Sequence, residues 1–558
     1  LTRFWRGRRS AAVIADPPTA KTPTATEGGL IRSSMVYSAF TLISRIMGFV
    51  RDLAVSYHMG ASATFAADAF NTAFAFPNLF RRIFAEGAFA AAFVPAYARA
   101  MTQEGEEKAD HLAADAMATL AVGALAITIA AELAMPWLMY AIAPGFAANP
   151  AKFKLAIVLT QITMPYLPCM AIYAHLSGVL NARNRFVLSA SAPILLNLWT
   201  LAAVVPASTP KGAAIAASWG VLVAGISQAA LLWWGVRRSG ARVDVRLPRL
   251  TPQIRALIAL AIPGAIAASA GQINIFVSGI LVSQVNGART WLAMCDRLYL
   301  LPQGLVGVAV GVALLPRLSR AVHAGDKPAA NSALDEAITF SMAFTLPAAA
   351  ALTTIPFFII DALYTRGAFH VVDAHATADA LRQYGWGVPA FVLAQITSRA
   401  FFAQQDTHTP MRLALISVAL NVAVGVTLFH FVGVAGIAAA TSLAVWVNVL
   451  MMAASLARRG IYQPSAAAWA RLARIVAASA ALGLLLAAAS AYRPSLQALF
   501  ADVRLGPLHA KELAILTVVT GAGLAYPFLL FASGGLTLAE MRANLRRRPA
   551  NTPGPPEA

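Results

Sequence analysis

The sequence predicts an all-α, polytopic membrane protein with about fourteen transmembrane helices, built as two six-helix lobes of a parallel repeat plus two extra C-terminal helices. Three observations carry this. The chain is 59% hydrophobic and only 12% charged over 558 residues, where soluble globular chains carry about 25% charged residues. Apolar runs long enough to cross a bilayer recur along the whole length. These runs are continuous rather than alternating over about ten residues, which argues against a closed β-barrel.

The apolar segments are 33–57, 65–98, 113–143, 155–179, 186–207, 212–236, 253–282, 290–316, 333–362, 380–402, 411–431, 434–457, 468–490 and 513–535. At 1.5 Å per residue each is long enough for a hydrocarbon core about 30 Å thick, and the longest are expected to tilt, kink or extend past it. Residues 1–30 are polar, contain Pro17, Pro18 and Pro23 and end in Gly28-Gly29, the composition of a disordered tail. They carry no pattern of a cleavable signal peptide. The expected units are this tail, a lobe over 31–240 (spans one to six), a lobe over 250–460 (spans seven to twelve), the last pair over 465–540 and a tail over 541–558.

Loop charge sets the expected orientation. Arginines crowd one set of loops, most densely Arg237, Arg238, Arg242, Arg246, Arg249 and Arg255, and the alternate loops are poorer. The positive-inside rule then places both termini in the cytoplasm. The same rule accounts for the net charge of +19 without a nucleic-acid partner. Cys169 and Cys295 both lie in apolar runs and read as small buried hydrophobes rather than a disulfide or metal framework.

A diverged repeat runs at an offset of 221. FVPAYARA at 93–100 matches LLPRLSRA at 314–321, and the same offset sets Pro168 on Pro389 and Ala182 on Ala403. Both copies begin at odd-numbered spans, so the repeat is parallel, and the interface of such halves is a natural place for a substrate site. The last two spans fall outside it. Within span eight, Gly304, Gly307 and Gly311 recur at helical spacing, as close helix packing requires. Asn197 and Asn421, inside apolar spans, are expected to hydrogen-bond between helices. The stretch FFAQQDTHTP at 401–410 reads as a turn and helix start.

The informative region is 41–100, apolar yet carrying Arg45, Arg51, Asp52, Asp68, Arg81, Arg82 and Glu86. A charge near a bilayer centre costs at least about 2.5–3.5 kcal/mol, so several in neighbouring spans imply a shared polar interior. Asp296 and Arg297 add a second cluster at the start of span eight. Arginine remains protonated when buried and presents a rigid fork of donors, so Arg45, Arg51, Arg81, Arg82 and Arg297 are candidates for holding a polyanion such as a diphosphate. The structural alternative pairs Arg51 with Asp52 or Asp68, pairs Arg82 with Glu86, and lets Arg45 or Arg81 snorkel. For the cluster, binding is favoured: Arg45, Arg51, Arg81 and Arg82 face only Asp52, Asp68 and Glu86 in 41–90. The acids Asp52, Asp68, Glu86 and Asp296 are expected to orient arginines rather than to act as general acids or bases. There is no HExxH spacing and no GxxxxGK[ST] phosphate loop. An expected transporter of this kind uses no cofactor and is passive or coupled to membrane potential or a monovalent ion.

The stretches SRIMGFVRD (44–52), DAFNTAFAFPNLFRRIFAEGAFAAAFVP (68–95), DRLYLLPQGLVGVAVGVALLPRLSR (296–320) and FFAQQDTHTP (401–410) resemble the MurJ (MviN) family of lipid II flippases, within the multidrug, oligosaccharidyl-lipid and polysaccharide exporter superfamily. The resemblance extends over roughly residues 30 to 540. It implies fourteen helices, two lobes around a cationic cavity, and a lipid-tail groove from the last two helices. It further implies movement of undecaprenyl-diphosphate-linked peptidoglycan precursor across the bacterial inner membrane by alternating access. The arginines at 45, 51, 81 and 297 would bind the diphosphate and the four acids would pair with them. The implied partners are the lipid-linked precursor, membrane lipids, and the peptidoglycan polymerase and division machinery; the chain would be a monomer. Some relatives bind sodium through an aspartate in span seven. Here that span has no acid, only the neutral Gln272 and Asn274, which leaves the coupling ion open. The alternative reading is an exporter of another polyprenyl-diphosphate glycan or an amphipathic drug on the same fold. A membrane enzyme acting on a lipid diphosphate would need an activated base or metal carboxylates beside the arginines.

Overall fold

The computed structural model describes residues 27–85, 88–503 and 509–535. Among them the chain is all-helical: α1 (Glu27–Met59), α2 (Ala66–Ala85), α3 (Ala88–Gln103), α4 (Glu106–Leu133), α5 (Met135–Ile142), α6 (Pro150–Thr163), α7 (Tyr166–Ala182), α8 (Phe186–Val204), α9 (Pro210–Arg238), α10 (Pro252–Val282), α11 (Ala288–His323), α12 (Lys327–Thr354), α13 (Pro356–Tyr364), α14 (Val371–Gly385), α15 (Val388–Phe402), α16 (His408–Val432), α17 (Val434–Arg458), α18 (Ala466–Ala491), α19 (Arg493–Ala498) and α20 (Ala510–Ala532). Every apolar segment expected from the sequence coincides with one of these helices or with two in succession. The interruptions have local causes. Pro136, Pro165, Pro356 and Pro389 each stand at or next to the start of a second piece, where a missing N–H is tolerated and the preceding helix cannot continue.

Nine helical stretches among the described residues combine the length and apolarity of a membrane crossing, against the fourteen expected. Three helices outside that set, α1, α2 and α11, carry the charged residues singled out above. The molecule is a multi-pass membrane protein.

The offset of 221 governs helix limits as well as sequence. Adding 221 to 106 and 133, the ends of α4, gives 327 and 354, the ends of α12. Adding it to 150, the start of α6, gives 371, the start of α14. Likewise α7 at 166–182 falls on 387–403, within a residue of α15. Packing repeats too: α4 lies on α7 as α12 lies on α15, and α8 on α9 as α16 on α17. α10, which opens the second half, crosses back to pack on α3 of the first.

Among the described residues the last helices pack chiefly on the second half. Met342 and Ala343 of α12 bury against Ile475 and Ala478 of α18 and Leu530 of α20. Phe358 of α13 joins Leu482, Leu486 and Ala514. Two ion pairs fix the same contact, Arg493 to Asp361 at 2.6 Å and Arg366 to Glu512 at 2.7 Å. The expected interhelical bonds are present: Asn197 Nδ2 donates to the Ser44 carbonyl at 2.9 Å, tying α8 to α1, and Asn421 Nδ2 donates to Thr441 Oγ1 at 3.4 Å between α16 and α17. Residues 401–410 form the expected turn, with Asp406 Oδ1 accepting from the Thr409 N–H at 2.9 Å and Arg459 donating to Oδ2 at 2.7 Å.

Candidate functional site

α1 and α11 meet on the seam between the halves, and each brings an arginine to one carboxylate. Arg51 donates through Nε and Nη2 to Asp52 Oδ1 at 3.0 and 2.7 Å. Arg297, from the other half, pairs through Nε with Asp52 Oδ2. Arg51 and Asp52 are buried, while Arg297 is about half-exposed, at 47%. Two guanidinium groups thus share one carboxylate, leaving an excess positive charge with donor capacity unspent.

Arg45 lies two turns back along the exposed side of α1, and its guanidinium rests on Gly304 of α11. A Cβ at Gly304 would collide with Arg45 Nη1. The small residue read from the sequence as a helix-packing position therefore admits an arginine side chain. Asp296 keeps company with tyrosines: Tyr299, one turn on, is its hydrogen-bond partner, and the Tyr299 ring stacks on Tyr384 with centroids 4.5 Å apart. α2 carries Arg81 and Arg82 in its last turns, but their side chains lie outside the described residues, as does Glu86.

Asp68, expected to orient an arginine, is placed elsewhere. It is fully buried in the first turn of α2 and takes Lys152 Nζ at 2.7 Å. It also takes the Gly287 N–H at 2.7 Å, the Thr290 N–H at 3.1 Å and Thr290 Oγ1 at 2.8 Å. The reason is local. The start of α11 presents unsatisfied N–H groups and a positive dipole end, and Gly287 reaches its φ of +88° without a Cβ penalty. Lys152 Nζ also donates to Asn286 Oδ1 at 3.0 Å, and Asn286 Nδ2 donates to the Ser62 carbonyl at 2.6 Å.

A second buried carboxylate closes the same end from the other half. Asp373, in the first turn of α14, accepts from the Ser62 N–H at 2.9 Å and from Trp291 Nε1 at 3.1 Å. The Ala368 N–H donates to the Tyr57 carbonyl at 2.8 Å. At the end where α1 stops, the halves are joined by direct hydrogen bonds. Sequence reading missed Lys152, Thr290 and Asp373. One signal was available, because 152 and 373 differ by 221 and both sit in the first turn of matching helices.

A sequence profile described as "Lipid II flippase MurJ" matches residues 55–501. The chain belongs to the MurJ family of lipid II flippases. Among curated MurJ relatives, a probable lipid II flippase MurJ of Rhizobium meliloti (strain 1021) is 41% identical over 436 residues, 77% of this chain and 81% of that one. The lipid II flippase MurJ of Burkholderia cenocepacia is 33% identical over 443 residues, covering 78% and 85%. A solved structure titled "Lipid II flippase MurJ, inward closed conformation" superposes with a TM-score of 0.73 at 25% identity, covering 92% of this chain and all of that one. A multidrug resistance MATE family transporter in an inward-facing conformation shares the MurJ fold at a TM-score of 0.64, with 14% identity and coverage of 76% and 98%.

Proposed function

We propose that the chain moves undecaprenyl-diphosphate-linked peptidoglycan precursor from the cytoplasmic to the periplasmic leaflet of the bacterial inner membrane by alternating access, with both termini cytoplasmic. The observation that carries the reading is the pair Arg51 and Arg297 sharing Asp52 across the seam. A diphosphate entering there replaces a single carboxylate with an acceptor of higher charge. It can take bidentate bonds from both guanidinium groups, with Arg45 on the same helix as Arg51 and Arg81 and Arg82 on the neighbouring α2. Binding that draws Arg51 and Arg297 onto one ligand pulls the halves together at this level, and differential affinity for the closed arrangement drives the change.

In this reading the hydrogen-bonded end at Asp68 and Asp373 faces the periplasm and must open for release. Domain limits follow the repeat, 31–240 and 250–460, with 465–540 supplying the groove for the lipid tail. Coupling to membrane potential or a monovalent ion sets the direction; one charge crossing is worth about 2.3 kcal/mol per 100 mV. The peptidoglycan polymerase and division machinery would take the product.

The test is appearance of labelled undecaprenyl-diphosphate glycopeptide in the outer leaflet of spheroplasts depleted of other flippases. Wild type is compared with Arg51→Ala and Arg297→Ala at matched membrane levels. Loss of transport by both folded variants supports the anion site. Normal transport by both overturns it, and absence of transport by wild type overturns the substrate in favour of another polyprenyl-diphosphate glycan or a drug.

A further inference from the structure

The connection between the halves, residues 239–251, has a feature that transport chemistry does not use. It leaves α9 one turn after Trp233 and Trp234, which hold Arg237 and Arg238 in cation–π contact at 5.4 and 4.5 Å. Paired tryptophans at a helix end mark the boundary between hydrocarbon and headgroups. Its first part is pinned to the protein. Ala241 and Val243 are each 1% exposed and pack with Ile254 and Leu257 of α10, and the Arg242 N–H donates to Asp110 Oδ2 at 2.6 Å.

Beyond that anchor the alternation of apolar residues continues, but the protein surface beneath it ends. Val245 is 80% exposed and Leu247 84% exposed, and Leu250 is exposed as well. Arginines stand between and around them. Residues 237–255 hold Arg237, Arg238, Arg242, Arg246, Arg249 and Arg255 against the single acid Asp244, a net charge of six minus one, or +5. Asp244 is divided between Arg237 at 3.6 Å and Arg246 at 3.7 Å, so most of the cationic surface has no acid facing it. Exposed aliphatic side chains set among arginines at the membrane boundary are the composition of an interfacial, polybasic anchor.

We propose that residues 242–250 dock on the bilayer surface, with Val245, Leu247 and Leu250 in the headgroup–acyl boundary and the arginines on anionic lipid headgroups. The occupant is a lipid surface because the segment is tethered on both sides to membrane helices only thirteen residues apart, which holds it at the boundary. The halves are joined through this segment, so the lipid grip positions the joint about which they move. This inference does not depend on which molecule is transported.

The test places bimane on Leu247→Cys, in the full chain with Cys169→Ala, in nanodiscs containing acyl-brominated lipid with or without phosphatidylglycerol. Quenching is expected to rise about twofold with phosphatidylglycerol, and the rise is expected to vanish in Arg242→Gln/Arg246→Gln/Arg249→Gln at an unchanged melting temperature. Absence of quenching in both membranes overturns the proposal and points to water or a protein partner over this segment. Equal quenching with and without the anionic lipid overturns its headgroup selectivity. A second probe at Leu250→Cys, read the same way, keeps the result decisive if the first variant fails to fold.

Discussion

Lys152 and Asp373 occupy the same station in the two halves, 221 residues apart and each in the first turn of its helix, yet they carry opposite charge. Lys152 neutralises Asp68, whereas Asp373 receives N–H groups from Ser62, His370 and the Trp291 ring. The duplicated scaffold has kept the position and exchanged the chemistry, so that each half supplies one buried carboxylate to the other's backbone.

Lys152→Met removes the counter-charge from a carboxylate with no solvent access; the side chains are 5% and 0% exposed. Stability is expected to fall by about 3–5 kcal/mol, as for other broken buried pairs. Asp68→Asn combined with Lys152→Met is expected to recover part of that loss, since no unpaired charge remains. Thermal denaturation of the two variants in detergent checks both statements, and equal stability of Lys152→Met and wild type refutes the first.

Asp52→Asn leaves Arg51 and Arg297 facing each other across the seam without the shared anion. Charge-assisted bonds contribute about 1.5–3 kcal/mol each, so transport is expected to drop at least about tenfold. Arg297→Lys is expected to be impaired as well, because an ammonium cannot reproduce the bidentate fork. Initial rates of outer-leaflet appearance at matched expression measure both.

Gly304→Ala tests Arg45 without touching it. The added methyl displaces the guanidinium, which is the far end of a flexible side chain, so the melting temperature is expected to stay close to wild type. Transport is expected to fall severalfold, toward that of Arg45→Ala. Full activity with the methyl in place would show that Arg45 does not need this seat.

Much of this was legible in the chain. Continuous apolar runs gave the helical segments, and the neighbours Arg51 and Asp52 met as their adjacency allowed. Asn197 and Asn421 found partners on facing helices because a buried amide in an apolar span has few other options. Asp68 was misread because its partner lies 84 residues away and long-range pairing leaves no periodic trace; proximity to Arg51 in sequence outweighed the pull of a helix start in space.

The turn before α16 carries a pH dependence with a definite sign. Thr409, through its hydroxyl and its N–H, together with Arg459 holds Asp406 well below the usual carboxylate range. A depressed carboxylate contributes stability that is complete above its unfolded value near about 4 and is lost as pH falls through the folded value. Protection of the amides at residues 407–412, measured as the exchange rate relative to the intrinsic rate at the same pH, is expected to be flat from neutral pH down to about 4 and to fall below it. In Asp406→Asn the protection is expected to be lower at neutral pH and to lose this acid step.

α11 begins at the hydrogen-bonded end, at Gly287 and Thr290, and runs for 36 residues. At 1.5 Å per residue that is a rod of about 54 Å, with its near end clasped by Asp68. A rod held at one tip is a lever: a tilt of only about 10° about that clasp sweeps its far tip through about 9 Å, nearly the breadth of a helix with its side chains. Such a clasp would let a movement too small to part the near ends displace the opposite tip by the breadth of a helix.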